Sequence, residues 1–243
     1  MNGYQIFAEF YNTLMGRVNY EQRGDYLLSV FQKYGQNPPC LLDLGCGTGI
    51  MTRYLASKGK DMVGVDISAE MLAVAREETP ANANILWICQ DLTCLDLYGT
   101  AQGAVSTFDT LNHLTGNGEL KDFFGRLRYF LEPGNLFVFD VNTPYKHQCV
   151  LGNNTFVYDT PKVYCVWQNQ TENLTTKITL DFFVPSFEGY TRYTEGFFER
   201  GYTLEELKKA ASPWFTLEDV FEDGTFSPPA SESERILCVM KKI

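Results

Sequence analysis

The stretch that carries the most chemistry is a glycine-rich turn between a predicted strand and a predicted helix. It reads LDLGCGTG over residues 42–49. Glycines let the backbone approach a ligand closely, and free N–H groups at the start of the following helix face whatever binds there. Asp66 ends the next predicted strand, 21 residues after Gly45, where a carboxylate can accept hydrogen bonds from both ribose hydroxyls. The pattern predicts a site for an adenosine-containing ligand.

Two further carboxylates narrow the choice of ligand. Asp43 precedes the turn at a strand end, where an acid can face a cationic group. Asp91 follows the third predicted strand, where it can accept a hydrogen bond from an adenine amino group. A dinucleotide fingerprint would require glycine where this chain has Ile50. A ligand with an amino acid, a ribose and an adenine suits acids at every position, whereas a pyrophosphate does not.

With these motifs, residues 40–142 resemble the class I S-adenosylmethionine-dependent methyltransferases, and the predicted final strand pair fits the rest. The resemblance implies S-adenosyl-L-methionine as the cofactor, held at its ribose by Asp66 and at its adenine edge by Asp91. The cofactor-binding residues that it predicts are Asp43, Gly45, Cys46, Gly47, Thr48, Gly49, Asp66, Ile67, Met71, Asp91, Leu92, Phe108 and Tyr20.

The segment after the fourth predicted strand, residues 106–114, lies beside the transferred methyl group in similar proteins. It places Asn112 and His113 towards the methyl acceptor, and both are predicted to be catalytic and substrate-binding residues. A histidine there can take a proton from an amine or a hydroxyl near neutral pH. The alternative is structural, with His113 packing or orienting the loop and Asn112 making hydrogen bonds within it.

The elements that position these residues alternate along the first part of the chain. Helices are predicted over 4–15 and 21–34, and a glycine-rich turn then leads into alternating strands and helices up to residue 143. The predicted fold class is α/β, a doubly wound Rossmann-like seven-stranded sheet that is mostly parallel with an antiparallel last strand. An antiparallel β lid insertion completes it.

Three regions follow from this pattern. We expect an N-terminal helical lid over 1–35, a cofactor-binding domain over 36–143 and 203–243, and an antiparallel β insertion over 144–202 that covers the active site. In the helical lid, Tyr4, Phe7 and Tyr11 resemble the lid of small-molecule methyltransferases, with ordinary core packing as the alternative for most of these rings. Tyr11 is predicted to contact the substrate.

The insertion contains three strand-like runs, at 158–170, 176–184 and 190–202. It resembles that of glycine and amino-sugar N-methyltransferases, which carry an E-x-H-x-Q-R pattern. Here the histidine is replaced by Phe197 and the glutamine by Glu199, while Glu195 and Arg200 match. Arg200 is predicted to bind substrate, with a surface ion pair to Glu195 as the alternative. Residues 156–202 hold 12 of the 35 aromatic residues, which predicts an aromatic-walled acceptor pocket.

Charge and cysteine content bear on partners and compartment. The formal net charge of −10 disfavours nucleic acid and anionic membrane surfaces as partners. Seven cysteines without CxxC spacing argue against a disulfide scaffold and against a metal site, and no apolar stretch approaches the ~20 residues of a membrane span. No signal peptide is evident, so a cytoplasmic location is expected. Nothing in the sequence specifies an oligomeric state.

The predicted function is methyl transfer to a small molecule, at nitrogen in preference to oxygen. Because the activated methyl group needs only an in-line approach, positioning alone can supply roughly 7–11 kcal/mol of the barrier reduction. Two alternatives remain open at this point. One is a nicotinamide-dependent oxidoreductase, which Ile50 and Asp91 oppose, and the other is a non-catalytic module that binds S-adenosylmethionine and regulates a partner.

Overall fold

The structure is a computed structural model, and it describes residues 5–16 and 18–243, so the predicted lid residue Tyr4 lies outside the described residues. The helices are α1 (Gln5–Leu14), α2 (Tyr20–Lys33), α3 (Ile50–Ser57), α4 (Ala69–Glu77), α5 (Glu119–Leu127) and α6 (Leu204–Ala211). The strands are β1 (Cys40–Leu44), β2 (Asp61–Asp66), β3 (Ile85–Cys89), β4 (Gly103–Ser106), β5 (Leu136–Asn142), β6 (Thr155–Asp159), β7 (Tyr164–Glu172), β8 (Thr175–Ser186), β9 (Gly189–Arg200), β10 (Phe215–Glu222) and β11 (Arg235–Lys242).

Seven strands form the central sheet, in the order β10-β11-β5-β4-β1-β2-β3. Strand β11 runs antiparallel to the other six strands and pairs with β5 on one side and with β10 on the other. All seven residues of β5 are buried, because helices cover both faces of the sheet and leave its central strands no polar side. The predicted fold class is confirmed.

Two hydrophobic layers hold the helices to this sheet. On one face, Phe123, Phe124 and Leu127 of α5 pack against β5 together with Leu207 of α6. On the other face, α2 and α3 pack against the sheet through side chains that include Phe31.

The residues at which two of the helices begin follow from the local sequence. Ser68 caps α4 by accepting the N–H of Met71, and Thr203 begins α6 as the predicted capping box.

The insertion is a separate four-stranded antiparallel sheet in the order β6-β7-β8-β9, which we call the lid sheet. The single strand predicted over 158–170 is wrong, since that region contains β6, a turn and β7. Pro161 cannot donate to a ladder, and Thr160 closes the turn by accepting the N–H of Val163 at 3.0 Å. A π-helical segment, Lys146–Leu151, connects β5 to the lid sheet.

Helix α1 packs on the lid sheet and also contacts α4 of the central domain. Phe10 joins a small core with Ile178, Leu180 and Phe182 of β8. The predicted regional boundaries at 35, 143 and 202 stay a prediction. Among the described residues, no helix combines the length and apolar character needed to cross a membrane.

Candidate active site

A cavity of about 650 Å³ opens at the carboxyl ends of the first four strands of the central sheet. Side chains of α1 and of the lid sheet line its other walls. The predicted residues that line it are Tyr11, Tyr20, Asp43, Gly45, Cys46, Gly47, Thr48, Asp66, Ile67, Met71, Asp91, Leu92, Phe108 and His113. Gly49, Asn112 and Arg200 are absent from its wall.

Each of the three positions in the turn requires glycine for a different local reason. A Cβ at Gly45 would lie 2.1 Å from the side chain of Thr110, and one at Gly49 would lie 2.3 Å from Trp87. Gly47 has open space in that direction, and its φ of +54° favours glycine. Gly49 therefore allows close packing of the helix start against Trp87, and its predicted contact with the cofactor stays a prediction.

Asp66 is oriented by two backbone N–H groups. Its Oδ2 accepts from Gly47 at 2.8 Å and its Oδ1 accepts from Ser68 at 2.9 Å. Burial raises the pKa of Asp66, while these two donors and the more distant His113 act to lower it. Each oxygen keeps a further lone pair, so the carboxylate can still accept hydrogen bonds from a ligand in the cavity.

The other two acids differ sharply in environment. Asp43 is 1% exposed, and burial raises its pKa to about 6, even though Thr52 donates a hydrogen bond of 2.5 Å to its Oδ2. Asp91 is exposed, and its Oδ1 accepts from both the N–H and the hydroxyl of Thr93 at 2.7 Å. Within the described residues, Oδ2 of Asp91 has no such donor and is available to a ligand.

Tyr20 supplies a test of whether the cavity fits a bound cofactor. Its hydroxyl is buried in the cavity wall beside that of Tyr11, which acts on it as a hydrogen-bond donor, and its own proton has no acceptor among the described residues. Burial raises the pKa of Tyr20 to about 12, so the hydroxyl remains a donor. An unpaired buried donor costs about 1–3 kcal/mol, and an acceptor on a ligand would remove that cost. The tyrosine, Asp43 and Asp66 together suit a ligand that carries a carboxylate, an ammonium group and ribose hydroxyls.

The loop after β4 has an unusual backbone that the sequence did not reveal. Phe108 and Asp109 adopt φ of +58° and +60°, a region that L-residues rarely occupy. Buried Asp140 accepts both of their N–H groups, at 2.8 and 2.9 Å. Arg23 pairs with Asp140, and Arg235 pairs with Asp109 at 2.8 Å. This network directs the ring of Phe108 into the cavity, 5.1 Å from the ring of Tyr20.

Three titratable side chains meet at the end of the cavity below the lid sheet. One carboxylate oxygen of Asp109, one of Glu199 and one ring nitrogen of His113 all lie within 4.8 Å of one another. The ring of His113 packs on Phe197 with centroids 5.1 Å apart. Arg235 already pairs with Asp109, which makes this carboxylate less available to a cation. The expectation of no metal stays a prediction.

Asn112 has a structural position. Its side chain is fully buried, its Nδ2 donates to the carbonyls of Asn142 and Arg200, and its Oδ1 accepts the N–H of Asn142. These bonds tie the loop after β4 to the ends of β5 and β9. Its hydrogen-bonding groups are engaged in these structural bonds, and the predicted catalytic and substrate-binding roles of Asn112 stay predictions.

Arg200 also points elsewhere. Its guanidinium pairs with Glu206 of α6 and lies 4.7 Å from the ring of Tyr202. The predicted substrate role of Arg200 stays a prediction, and its guanidinium pairs with Glu206 and not with Glu195, the partner that the alternative gave it. Glu195 instead accepts the N–H groups of Ile6 and Phe7 at the start of α1, at 2.9 and 3.3 Å. Its carboxylate thus joins the lid sheet to α1.

The aromatic-walled pocket predicted for the insertion is present in part. Tyr158, Trp167, Phe197 and Phe198 line the cavity, and Phe182 lies in the core beneath α1. Other rings, such as Phe187 at the β8–β9 turn, are fully exposed. Asp140 and Arg235 were not predicted as site residues. The one acid within the apolar run of β5 was a signal for Asp140.

A central sheet of this order, with a glycine turn after β1 and an acid at the end of β2, defines an S-adenosylmethionine-dependent methyltransferase. Residues 41–134 match the family model described as "Methyltransferase domain". A solved S-adenosylmethionine-dependent methyltransferase from Clostridium acetobutylicum is 30% identical, with a TM-score of 0.88 and 99% of both chains covered. The chain belongs to this family and is an enzyme that uses S-adenosylmethionine.

Two further proteins are similar over almost the whole chain. The putative methyltransferase YqeM of Bacillus subtilis is 29% identical, covering 98% of this chain and 97% of its own. CalS10, an amino pentose methyltransferase from Micromonospora echinaspora, was solved with S-adenosylmethionine bound. It shares the fold with a TM-score of 0.77 and 19% identity, covering 98% of this chain and 97% of its own. The nicotinamide and non-catalytic alternatives are thereby set aside.

Proposed function

We propose that this enzyme methylates a small molecule at an amine nitrogen. The observation that carries the proposal is the cavity, which joins the cofactor end to an acceptor end walled by lid aromatics and carboxyl groups. Its volume of about 650 Å³ lies within the range of about 300–1,000 Å³ that is typical of small-molecule sites. Because α1 and the lid sheet both contribute to the wall, a large polymer has less access than a metabolite.

The cofactor end has a group for each part of the ligand. Asp66 is placed to accept from the ribose hydroxyls, and Asp91 from the adenine amino group. Asp43 provides a buried negative charge near the cofactor's ammonium group once it is deprotonated, and the Tyr20 hydroxyl suits the carboxylate. Met71 and Ile67 offer apolar contact for the adenine ring.

The acceptor end supports nitrogen over oxygen by its proton-accepting histidine and its aromatic rings. Glu199 and Asp109 lie beside His113, and aromatic faces attract cations. This combination suits an ammonium group that must lose a proton before its nitrogen can react. The amino pentose substrate class named for CalS10 agrees with this choice.

The cofactor, when bound, supplies a methyl group already activated on a sulfonium. The residues of this chain then hold the acceptor in line, exclude water and take up a proton. Phe108, fixed by Asp140, and Tyr11 of α1 restrict the approach to the methyl position. Orientation of this kind accounts for most of the rate enhancement that such a transfer needs.

Labelled-methyl transfer into fractionated metabolite pools tests the proposal. The purified enzyme and methyl-labelled S-adenosylmethionine are incubated with each fraction, and products are read by mass spectrometry. We expect label in a small amine, and loss of that label with Asp66→Asn. Label that appears only in protein, in RNA or on oxygen would contradict the proposal. A cytoplasmic location, which seven free cysteines favour, belongs to the same proposal.

A further inference from the structure

Strand β9 brings a buried carboxyl group against the histidine of the loop after β4. Glu199 is 4% exposed, and its Oε1 lies 3.9 Å from Nε2 of His113. His113 keeps 36% of its side-chain surface exposed, and it lies in the cavity wall. The pair therefore joins the lid sheet to the central domain at the acceptor end.

Charged groups from several elements face this pair. Asp109 lies beside both side chains and raises the pKa of each, and Asp66 of β2 acts on His113 in the same direction. Arg235 of β11 and Lys146, just after β5, lower the pKa of Glu199, helped by the amide of Asn142. Burial is nevertheless the largest influence on both members of the pair.

We propose that Glu199 and His113 form a charge-compensating pair, in which Glu199 is the positioning residue that gives up its proton as His113 gains one. This rests on the proposed function, because the pair needs a reaction that releases a proton. Burial together with Asp109 raises the pKa of Glu199 to about 8, and burial lowers the pKa of His113. Near neutral pH the carboxyl group thus carries a proton and the imidazole does not, so the pair holds a single proton.

The proton balance of methyl transfer follows from this state. The ammonium group of the acceptor gives one N–H proton to Nε2 of His113. The freed nitrogen lone pair forms the N–C bond as the C–S bond breaks, and the electron pair of that bond stays on sulfur. As His113 becomes positive, Glu199 releases its own proton to water, which prevents a net charge from building up at a buried site.

The chain has only two histidines, so their imidazole resonances can be followed separately by nuclear magnetic resonance. The protein is labelled with ¹⁵N-histidine, loaded with S-adenosylhomocysteine and titrated from about pH 5 to 9. We expect His113 to show its own transition below its usual pKa and a second inflection near pH 8. Glu199→Gln should remove the second inflection of His113 and leave its first transition in place.

Two variants and one additive complete the test. Glu172→Gln removes an exposed carboxylate from the same lid sheet and should leave the inflection in place. Glu199→Asp, which keeps the charge on a shorter side chain, should move the inflection, and it serves if Glu199→Gln fails to fold. Superimposable His113 curves for the wild type and Glu199→Gln would overturn the proposal, as would a wild-type curve without the second inflection. A His113 signal that changes on adding EDTA would indicate a bound metal ion and overturn it as well. Because this readout needs no turnover, failure to methylate any amine would refute the proposed function separately.

Discussion

Replacing Asp66 by asparagine should weaken cofactor binding far more than the same change at Asp91. Asp66 is largely buried and accepts two backbone N–H groups, whereas Asp91 is exposed and engages Thr93 through one oxygen. An asparagine amide can accept through one atom only. At position 66 the substitution therefore leaves one N–H without an acceptor and also removes the charge offered to the ribose.

The magnitudes follow from these environments. A hydrogen bond to a charged, buried acceptor contributes about 1.5–3 kcal/mol, which is about 10- to 150-fold in Kd for Asp66→Asn. An exposed acceptor contributes about 0.5–1.5 kcal/mol, which is roughly 2- to 12-fold for Asp91→Asn. Thr93 can keep its hydrogen bonds to the oxygen of the asparagine, so the local turn should survive.

Isothermal titration with S-adenosylhomocysteine measures both Kd values, and thermal unfolding without ligand shows whether each variant is folded. A folded Asp66→Asn variant that binds S-adenosylhomocysteine as the wild type does would refute the ribose assignment. A larger loss for Asp91→Asn than for Asp66→Asn would show that burial and backbone donors do not decide the energetics of this site.

Three other substitutions test separate parts of the structure. Burial raises the pKa of Asp43 to about 6, so the native state binds a proton that the unfolded chain releases near pH 4, and stability falls as the pH rises between these values. Asp43→Asn should therefore stabilise the ligand-free protein at pH 7 by up to about 3 kcal/mol in urea unfolding, and a loss of stability would contradict this. It should also weaken S-adenosylhomocysteine binding and abolish the decline in affinity that we expect for the wild type below pH 6. Glu195→Gln weakens the capping of α1 and should speed amide exchange in that helix while leaving α5 unchanged, and equal exchange in α1 would refute the contact. Asp140→Asn should lower the free energy of unfolding by about 3–5 kcal/mol, because it breaks a buried pair with Arg23, and a loss under about 1 kcal/mol would exclude this role.

Short-range patterns explain why much of the fold could be predicted. The glycine turn, Ser68 and the Thr203–Glu206 capping box act over a few residues, so sequence and local structure correspond directly. Alternating strands and helices restrict the topology, because parallel strands need crossover connections of one hand. Among the strands, the β6–β7 turn was missed, where one short turn at Pro161 divides what resembled a single strand.

The position of Asp66 in the cavity could also be inferred from sequence, because it ends a buried parallel strand. Which side chains of β9 face the cavity could not be inferred from the sequence. Side chains alternate along a strand, so a shift of one residue would exchange Glu199 and Arg200 between the cavity and the α6 side. The register with β8, which pairs Glu199 with Thr176, decides this, and it comes from packing against α1 and the core.

By itself the sequence determined the fold class, the cofactor turn and the acids at its strand ends, since each depends on neighbours a few residues away. Only the tertiary structure decided which groups meet at the acceptor end. Glu199 and His113 are 86 residues apart in the chain, and Asp109 and Arg235 are 126 apart. No local pattern encodes such pairs, because they form when the lid sheet and β11 are packed against the loop after β4.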